Sequence, residues 1–327
     1  MLQPRLAIIL PCYNEQEVLP VTFERIRELI CRMAESGRIS SDSFALYVDD
    51  GSVDLTWELI EERNARDIYT FGLKLAANSG HQNALLAGLE AVADIADVTV
   101  TIDADLQDDE NVIEDMIDSF LTGHDVVFGV RSSRESDSFF KRTTARGFYR
   151  VMNLLGAKTV YDHADFRLMS RRAVKQLLLY GERNIFLRGV VPLIGYRTDK
   201  VEYARKKREA GESKYPLKKM ISFAFEGITS FSIKPISIIF GLGAIITALS
   251  IIAMIYSVIA YFVGKTVAGW PSLMISIWFL GGVQLLSIGL IGKYVGKTYI
   301  ESKHRPRYNV ETVRLPIETE DTEDYDR

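Results

Sequence analysis

The stretch TIDADLQD, residues 101–108, places two carboxylates one residue apart at the end of an apolar run. The alternation of residues 98–102 predicts a buried β-strand leading into it. An extended backbone through the stretch would point Asp103, Asp105 and Gln107 to one side, because side chains alternate along a strand. Oxygen ligands suit Mg²⁺ or Mn²⁺, which proteins share with substrate phosphates. The stretch predicts a divalent-cation site, with an ordinary acidic loop as the alternative.

The chain around this stretch alternates between strand-like and helix-like segments. Apolar residues recur at helical spacing in the segments between the predicted strands. Such alternation predicts right-handed crossovers and an α/β fold, a Rossmann-like, mostly parallel sheet with helices on both faces. The five predicted strands cover residues 6–10, 44–48, 68–75, 98–102 and 125–130.

Polar loops follow four of the predicted strands. They are PCYNE at 11–15, DDGS at 49–52, NSGH at 78–81 and the acidic residues 103–107. Ligands of parallel α/β sheets bind beyond the carboxyl ends of the strands, so we expect these loops to converge. Neither a G-x-G-x-x-G nor a G-x-x-x-x-G-K-[ST] motif is present, which argues against a dinucleotide-binding fold and a P-loop. A nucleotide held by carboxylates and a cation is the better candidate.

The last third of the chain predicts a membrane anchor. Residues 235–264 and 266–292 contain no charged side chain, and each run exceeds the roughly 20 residues that a spanning helix needs. Residues 205–219 are rich in lysine and arginine, and an apolar stripe follows at helical spacing, typical of a helix in the membrane interface. Basic residues also follow the second run, so the positive-inside rule places both termini in the cytoplasm.

These patterns divide the chain into four predicted parts. A catalytic domain covers 1–204, a basic segment with an interfacial helix 205–233, a two-helix transmembrane hairpin 234–296 and a cytoplasmic tail 297–327. The acidic end of the tail, 318–327, is predicted to be disordered. No secretory signal is recognisable at the N-terminus. Cys12 and Cys31 have no metal or redox spacing, so we interpret both as packing residues in a reducing compartment.

The ordered motifs resemble those of the polyprenyl-phosphate glycosyltransferases of family 2. The bactoprenol glucosyltransferases are the most similar group, and the dolichol-phosphate mannose synthases are more distant. The resemblance rests on PCYNE, DDGSVD, NSGH, DADLQ, DFR at 165–167 and GESKY at 211–215, followed by two apolar runs. It implies a GT-A fold, a nucleotide-sugar donor, Mg²⁺ or Mn²⁺, an undecaprenyl-phosphate acceptor and a homo-oligomer such as a tetramer. No nucleic-acid partner is expected.

The resemblance also implies roles for individual residues. Asp105 and Gln107 would hold the cation, and Asp103 would approach the ribose or the metal-bound phosphate. Asp165 would lie by the sugar and acceptor, as a base or as an orienting group, and Arg131 would meet phosphate. The family often has glycine at the position of Ala164, which puts the backbone placement of Asp165 in question. Implied substrate contacts are Pro11, Tyr13, Asn14, Glu15, Asp49, Asp50, Gly80, Gln107, Arg134, Arg167, Ser213, Lys214 and Tyr215.

Several alternatives stay open. UDP-glucose is the first choice of donor, with UDP-N-acetylglucosamine and GDP-mannose as others. A processive polysaccharide synthase would need more spans and a Q-x-x-R-W motif, which this chain lacks. A transporter would carry functional polar residues within its spans, and these runs hold little beyond Ser, Thr and Gln284. A membrane scaffold without catalysis would not need four polar loops at one sheet edge.

Overall fold

The computed structural model describes residues 3–131, 163–183, 185–203, 234–262 and 269–316. The chain divides into two compact units. The first contains a single sheet with its helices and includes the segment after residue 305. The second contains two long helices.

The first unit is built on an eight-stranded sheet. Its order is β7-β5-β6-β4-β1-β2-β3-β8. The strands are β1 Leu6–Cys12, β2 Phe44–Asp49, β3 Thr70–Leu75, β4 Val98–Thr101, β5 Val126–Arg131, β6 His163–Ser170, β7 Thr198–Tyr203 and β8 Val310–Arg314.

Four of the seven strand pairings are parallel and three are antiparallel. The five predicted strands are all present, with bounds shifted by one or two residues at most ends. The sheet is more mixed than predicted, because β6 lies between β4 and β5 and is antiparallel to both. An antiparallel neighbour needs no crossover helix, so the alternation of strands and helices carries no signal for it.

Helices cover both faces of the sheet, as predicted. They are α1 Leu19–Glu35, α2 Thr56–Asn64, α3 His81–Val92, α4 Val112–Leu121, α5 Arg171–Leu178 and α6 Leu187–Val190, and a 3₁₀ turn, Val191–Ile194, follows the last of them. The inner residues of α1, α2 and α4 share one buried cluster with Leu6, Ile8 and Leu10 of β1. Helix α3 lies against the other face, where Gly88 approaches Ile9 and Val48 so closely that a Cβ would stand 2.5 Å from Ile9 Cγ2.

The second unit contains α7 Lys234–Phe262 and α8 Trp270–Ser302. Within the described residues, one segment, Phe279–Ser302, has the length and apolar composition needed to cross a membrane. Helix α7 is 29 residues long and carries no charged residue after Lys234. The predicted interfacial helix after the basic segment and the predicted disordered end of the tail lie outside the described residues.

Strand β8 was not predicted. It pairs antiparallel with β3, which places residues 310–314 at one edge of the sheet. Four of its five residues are exposed, so it lacks the buried apolar alternation by which the other strands are recognised.

Gly51 fixes the close approach of the loop after β2 to the loop after β3. Its φ is +67°, and a Cβ would stand 2.6 Å from the backbone atoms C of Ala77 and N of Asn78. Gly195 has a similar φ of +79°, but a Cβ there would meet only Leu193 O at 3.9 Å. A side chain at either position would be strained by the positive φ, and a side chain at position 51 would also clash with the backbone.

We therefore expect Gly51→Ala to destabilise the protein more than Gly195→Ala. The left-handed backbone costs an alanine about 1–2 kcal/mol at either position. Crowding against backbone adds about 1–3 kcal/mol at Gly51. Denaturant unfolding of the detergent-solubilised chain, followed by tryptophan fluorescence, measures the difference. Equal losses in the two variants would contradict the crowding.

Candidate active site

The acidic stretch leaves the strand earlier than predicted. Strand β4 ends at Thr101, and the N–H of Leu106 then donates to Asp103 O at 3.2 Å. The φ of Leu106 is +45°. The Oδ1 of Asp105 accepts from the N–H of Gln107 at 3.2 Å, the local bond by which aspartate favours turns over strands. The predicted extended alternation through residue 107 is therefore wrong, and the stretch is a turn at the strand end.

The residues of this turn differ in exposure. The side chain of Asp103 is 43% exposed, Asp105 is half-buried and Gln107 is 6% exposed. Asp108 is buried and accepts from Tyr203 Oη at 2.7 Å, at the end of β7. Asp108 lies before helix α4, which begins at Val112. Asp108 links the turn to β7.

Hydrogen bonds join the loop after β1 to the loop after β2. The N–H of Asn14 donates to Ser52 Oγ at 2.9 Å, and Asn14 Oδ1 accepts from the N–H of Val53 at 3.0 Å. Asn14 itself has a φ of +56°, a conformation that asparagine tolerates better than most residues. Pro11 is buried and Tyr13 is 47% exposed. Tyr13 and Asn14 therefore face solvent, whereas Glu15 is half-buried.

The two aspartates at the end of β2, Asp49 and Asp50, are buried and accept hydrogen bonds from the backbone. Asp50 Oδ1 accepts from the N–H of Ser79 at 2.7 Å, and Oδ2 accepts from the N–H of Gly80 at 2.9 Å. Asp49 Oδ1 accepts from the N–H of Ser52 at 3.2 Å. Burial raises the pKa of both carboxyl groups, and these donors oppose the rise. Asp50 thus fixes the loop before α3, and its contact with a base stays a prediction.

Asp165 lies at the start of β6, beside the end of β4. Two guanidinium groups hold its carboxylate: Arg167 Nη2 lies 2.5 Å from Oδ1, and Arg188 Nη2 lies 3.0 Å from Oδ2. Thr101 Oγ1 donates to the Asp165 carbonyl. Ala164 lies within β6, where extended backbone accommodates an alanine.

His81, the first residue of α3, joins Asp165 to the acidic turn. Its Nε2 lies 3.6 Å from Asp103 Oδ1 and 3.6 Å from Asp165 Oδ2. Burial lowers the pKa of His81, but the two carboxylates outweigh it and the net shift is upward. Burial also raises the pKa of Asp103, to about 6. Burial would raise the pKa of Asp165 as well, yet His81 and the two arginines hold it well below its ordinary value.

Two residues of this cluster had no role in the sequence interpretation. His81 belongs to the quoted NSGH motif, so its place at a strand-end loop was the available signal. Arg188 lies in α6, outside every motif, and no sequence signal indicates it. Arg167 is 1% exposed and supports Asp165, so its direct contact with substrate stays a prediction. Arg131 ends β5 at the same sheet edge, as predicted.

Four predicted contact residues lie outside the described residues: Arg134, Ser213, Lys214 and Tyr215. Gly80 is described, and its φ of +90° brings its N–H to Asp50.

The turn offers chemically suitable donors for a hard divalent cation. Carboxylate and amide oxygens of Asp103, Asp105 and Gln107 are the ligand types that Mg²⁺ and Mn²⁺ take, usually completed by water and substrate phosphates. Among the described residues, no group of three or more His, Cys, Asp or Glu side chains is arranged to hold an ion without such help. The donor set therefore fits a cation that is shared with a substrate.

An acidic turn and polar loops at one edge of an α/β sheet are typical of an enzyme whose ligands bind beyond the carboxyl ends of the strands. Residues 7–178, more than half of the chain, match the model of glycosyl transferase family 2. The chain belongs to this family and is a glycosyltransferase.

Similar proteins include an uncharacterized glycosyltransferase, YkoT, of Bacillus subtilis (strain 168). The identity is 52%, covering 94% of this chain and 92% of that protein. The bactoprenol glucosyl transferase of Shigella phage SfV is 38% identical, covering 93% of this chain and 97% of its own length. Among solved structures, the mannosyltransferase PcManGT of Pyrobaculum calidifontis in complex with GDP-Man and Mn²⁺ aligns with a TM-score of 0.45 at 15% identity, covering 93% and 88% of the two chains.

The raised pKa of Asp103 predicts a pH-dependent stability. Because folding favours the protonated carboxyl group, Asp103 contributes stability to the folded state that is fully present below the ordinary carboxyl pKa near 4. This stability is lost as the pH rises through about 6. Asp103→Asn should therefore unfold at a higher temperature than wild type at pH 7.5 without divalent cations, and the gap should narrow toward pH 5. Solvent screens a side chain that is 43% exposed, so the gap is small.

Thermal unfolding at both pH values measures this gap. Asp118→Asn, which changes an exposed carboxylate of α4, is the control. A gap that widens as the pH falls would contradict the raised pKa.

Proposed function

We propose that this enzyme transfers a sugar from a nucleotide sugar, UDP-glucose first among candidates, to undecaprenyl phosphate. The observation that carries the proposal is the 38% identity with a bactoprenol glucosyl transferase over 97% of that protein's length. The match extends beyond the family domain, which ends at residue 178. It therefore includes much of the part that would meet a lipid acceptor.

The donor half of the site would stabilise a leaving diphosphate. A bound Mg²⁺ or Mn²⁺ would neutralise negative charge that develops on the diphosphate as the glycosidic bond breaks. Asp105 and Gln107 would hold the ion, with Asp103 beside it. Arg131, at the end of β5, would add positive charge to the same group. Tyr13, exposed at the loop after β1, would pack against the base.

The acceptor needs little help to become a nucleophile. A phosphate monoester has a second pKa of about 6, so the lipid phosphate is largely ionised at neutral pH. Asp165 would be a poor proton acceptor, because two guanidinium groups and His81 hold its pKa well below the ordinary value. We therefore assign Asp165 the orienting role. A single in-line displacement would then invert the anomeric configuration.

The membrane would supply the acceptor. We propose that α7 and α8 form a hairpin of two spans, supported by the absence of charged residues from 235 to 264 and from 266 to 292. Lysines and arginines outside both runs support a cytoplasmic catalytic domain and cytoplasmic termini. Lys214 and Tyr215, in the basic segment, would meet the lipid phosphate or the donor. The homo-oligomer stays a prediction.

Transfer of label to lipid tests the function. Membranes containing the protein are incubated with undecaprenyl phosphate, Mn²⁺ or Mg²⁺ and labelled UDP-glucose, UDP-N-acetylglucosamine or GDP-mannose in parallel. We expect label from UDP-glucose in the lipid extract. Label from another donor would correct the sugar alone, and transfer of none to lipid, or into polymer, would contradict the proposal.

Asp105→Asn should separate cation binding from folding. Loss of one charged ligand should lower transfer by on the order of 100-fold and raise the Mn²⁺ concentration needed for half-maximal rate. Asp109→Asn makes the same chemical change four residues later and should stay near wild type, because its Oδ1 acceptor for the N–H of Asn111 is kept. Equal transfer rates in the two variants would contradict the assignment of Asp105 as a cation ligand.

The orienting role of Asp165 predicts a specific pattern of variants. Asp165→Asn and Arg188→Gln each break the same ion pair, so their losses of kcat/KM should be far less than additive in the double variant. Added formate should not restore Asp165→Asn, since no base is missing. Restoration by formate would instead assign Asp165 as the base.

A further inference from the structure

The loop that carries His81 is held by the loop that follows β2. We call residues 76–81 the His81 loop. Asp50 accepts two of its backbone N–H groups, those of Ser79 and Gly80, and is 3% exposed. Gly51 allows the backbone to approach at Ala77. These contacts fix the middle and end of the loop.

The beginning of the same loop is held by the C-terminal strand. The β3–β8 ladder pairs Gly72 with Arg314 and Leu75 with Val310, and it continues to the first loop residue, where the N–H of Ala76 donates to Asn309 O at 2.9 Å. Residues 309–314 therefore complete the hydrogen bonding of β3 up to the point at which the loop departs.

Side chains of the same segment support the ladder and reach α3. The Tyr308 hydroxyl donates to Glu90 of α3, the helix that begins at His81. Lys74 Nζ lies 3.2 Å from Glu311 Oε1 across the ladder. Arg307 Nη2 donates to the carbonyl of Tyr180, after α5. The segment thus contacts the strand before the His81 loop, the loop itself and the helix after it.

We infer that residues 307–314 are a positioning element of the active site, which holds His81 within reach of Asp103 and Asp165. None of these eight residues needs to touch substrate for this role. The inference follows from the pairing of residues 309–314 with β3 up to the first residue of the His81 loop, and from the hydrogen bond of Tyr308 to the helix that follows the loop. Its catalytic consequence rests on the proposed function, whereas its structural consequence does not.

Two truncations of the full chain test the inference. Deletion of residues 308–327 removes Tyr308 and β8, and deletion of 317–327 removes only the end of the chain beyond Pro316. Hydrogen exchange is measured on peptides covering residues 76–81, with β1 as an internal reference. We expect faster exchange at 76–81 in the longer truncation alone, with β1 unchanged. Unchanged exchange at 76–81 would overturn the inference.

Tyr308→Phe decides the case in which the longer truncation loosens β1 as well. This variant keeps β8 and removes only the hydroxyl that meets Glu90. We expect faster exchange at 76–81 and a kcat that falls several-fold, up to roughly tenfold, with the KM for nucleotide sugar unchanged. If the longer truncation exchanges faster throughout, an added peptide of residues 306–316 should slow its exchange at 76–81 again. Wild-type exchange and kcat in Tyr308→Phe would overturn the inference.

The two proposals fail in different ways. If the full chain transfers no sugar to undecaprenyl phosphate, the proposed function is wrong, and hydrogen exchange still decides the role of residues 307–314. If the full chain transfers sugar and both truncations behave alike in exchange and rate, the positioning role is wrong and the proposed function stands.

Discussion

The ion pair between Asp165 and Arg167 is the constraint on which the site depends. Arg167 is 1% exposed, and loss of a buried charge partner typically costs about 3–5 kcal/mol. The pair therefore cannot be separated without loss of stability. Because Thr101 Oγ1 also donates to the Asp165 carbonyl, the start of β6 is fixed to the end of β4, directly before the acidic turn. Arg188 and His81 then meet a carboxylate whose position is already set.

Backbone bonds set the second half of the site. The buried carboxylate of Asp50 accepts hydrogen bonds from two backbone N–H groups, those of Ser79 and Gly80, directly before α3. A buried carboxylate without donors would be costly, so these bonds explain how an aspartate can lie inside the strand-end loops. The same loops are joined through Asn14 and Ser52. Hydrogen bonds consequently join the loop after β1 to the loop after β2, and the loop after β2 to the one before α3.

Local patterns in the sequence predicted five of the eight strands, the helices between them and the polar edge, because side-chain periodicity is a local property. They missed β6, β7 and β8, since pairing between distant strands leaves no local mark, and most residues of β8 are exposed. The alternation of Asp103, Asp105 and Gln107 predicted an extended backbone. The N–H of Gln107 instead donates to Asp105 Oδ1, and this local hydrogen bond favours a turn. Arg188 was missed because its role exists only through its contact with Asp165.

Two carboxylates in this cleft have opposite pKa shifts, and the difference separates their chemistry. Burial raises the pKa of Asp103 to about 6, so the charge on Asp103 is unfavourable unless a cation compensates it. Asp165 already has two guanidinium partners and gains nothing comparable from a further cation. When environments push the pKa values of neighbouring groups apart, they assign different roles to them. The charge of Asp103 is therefore the one that would respond to a cation held at the neighbouring Asp105 and Gln107, as proposed above, whereas Asp165 is already fixed by Arg167 and Arg188.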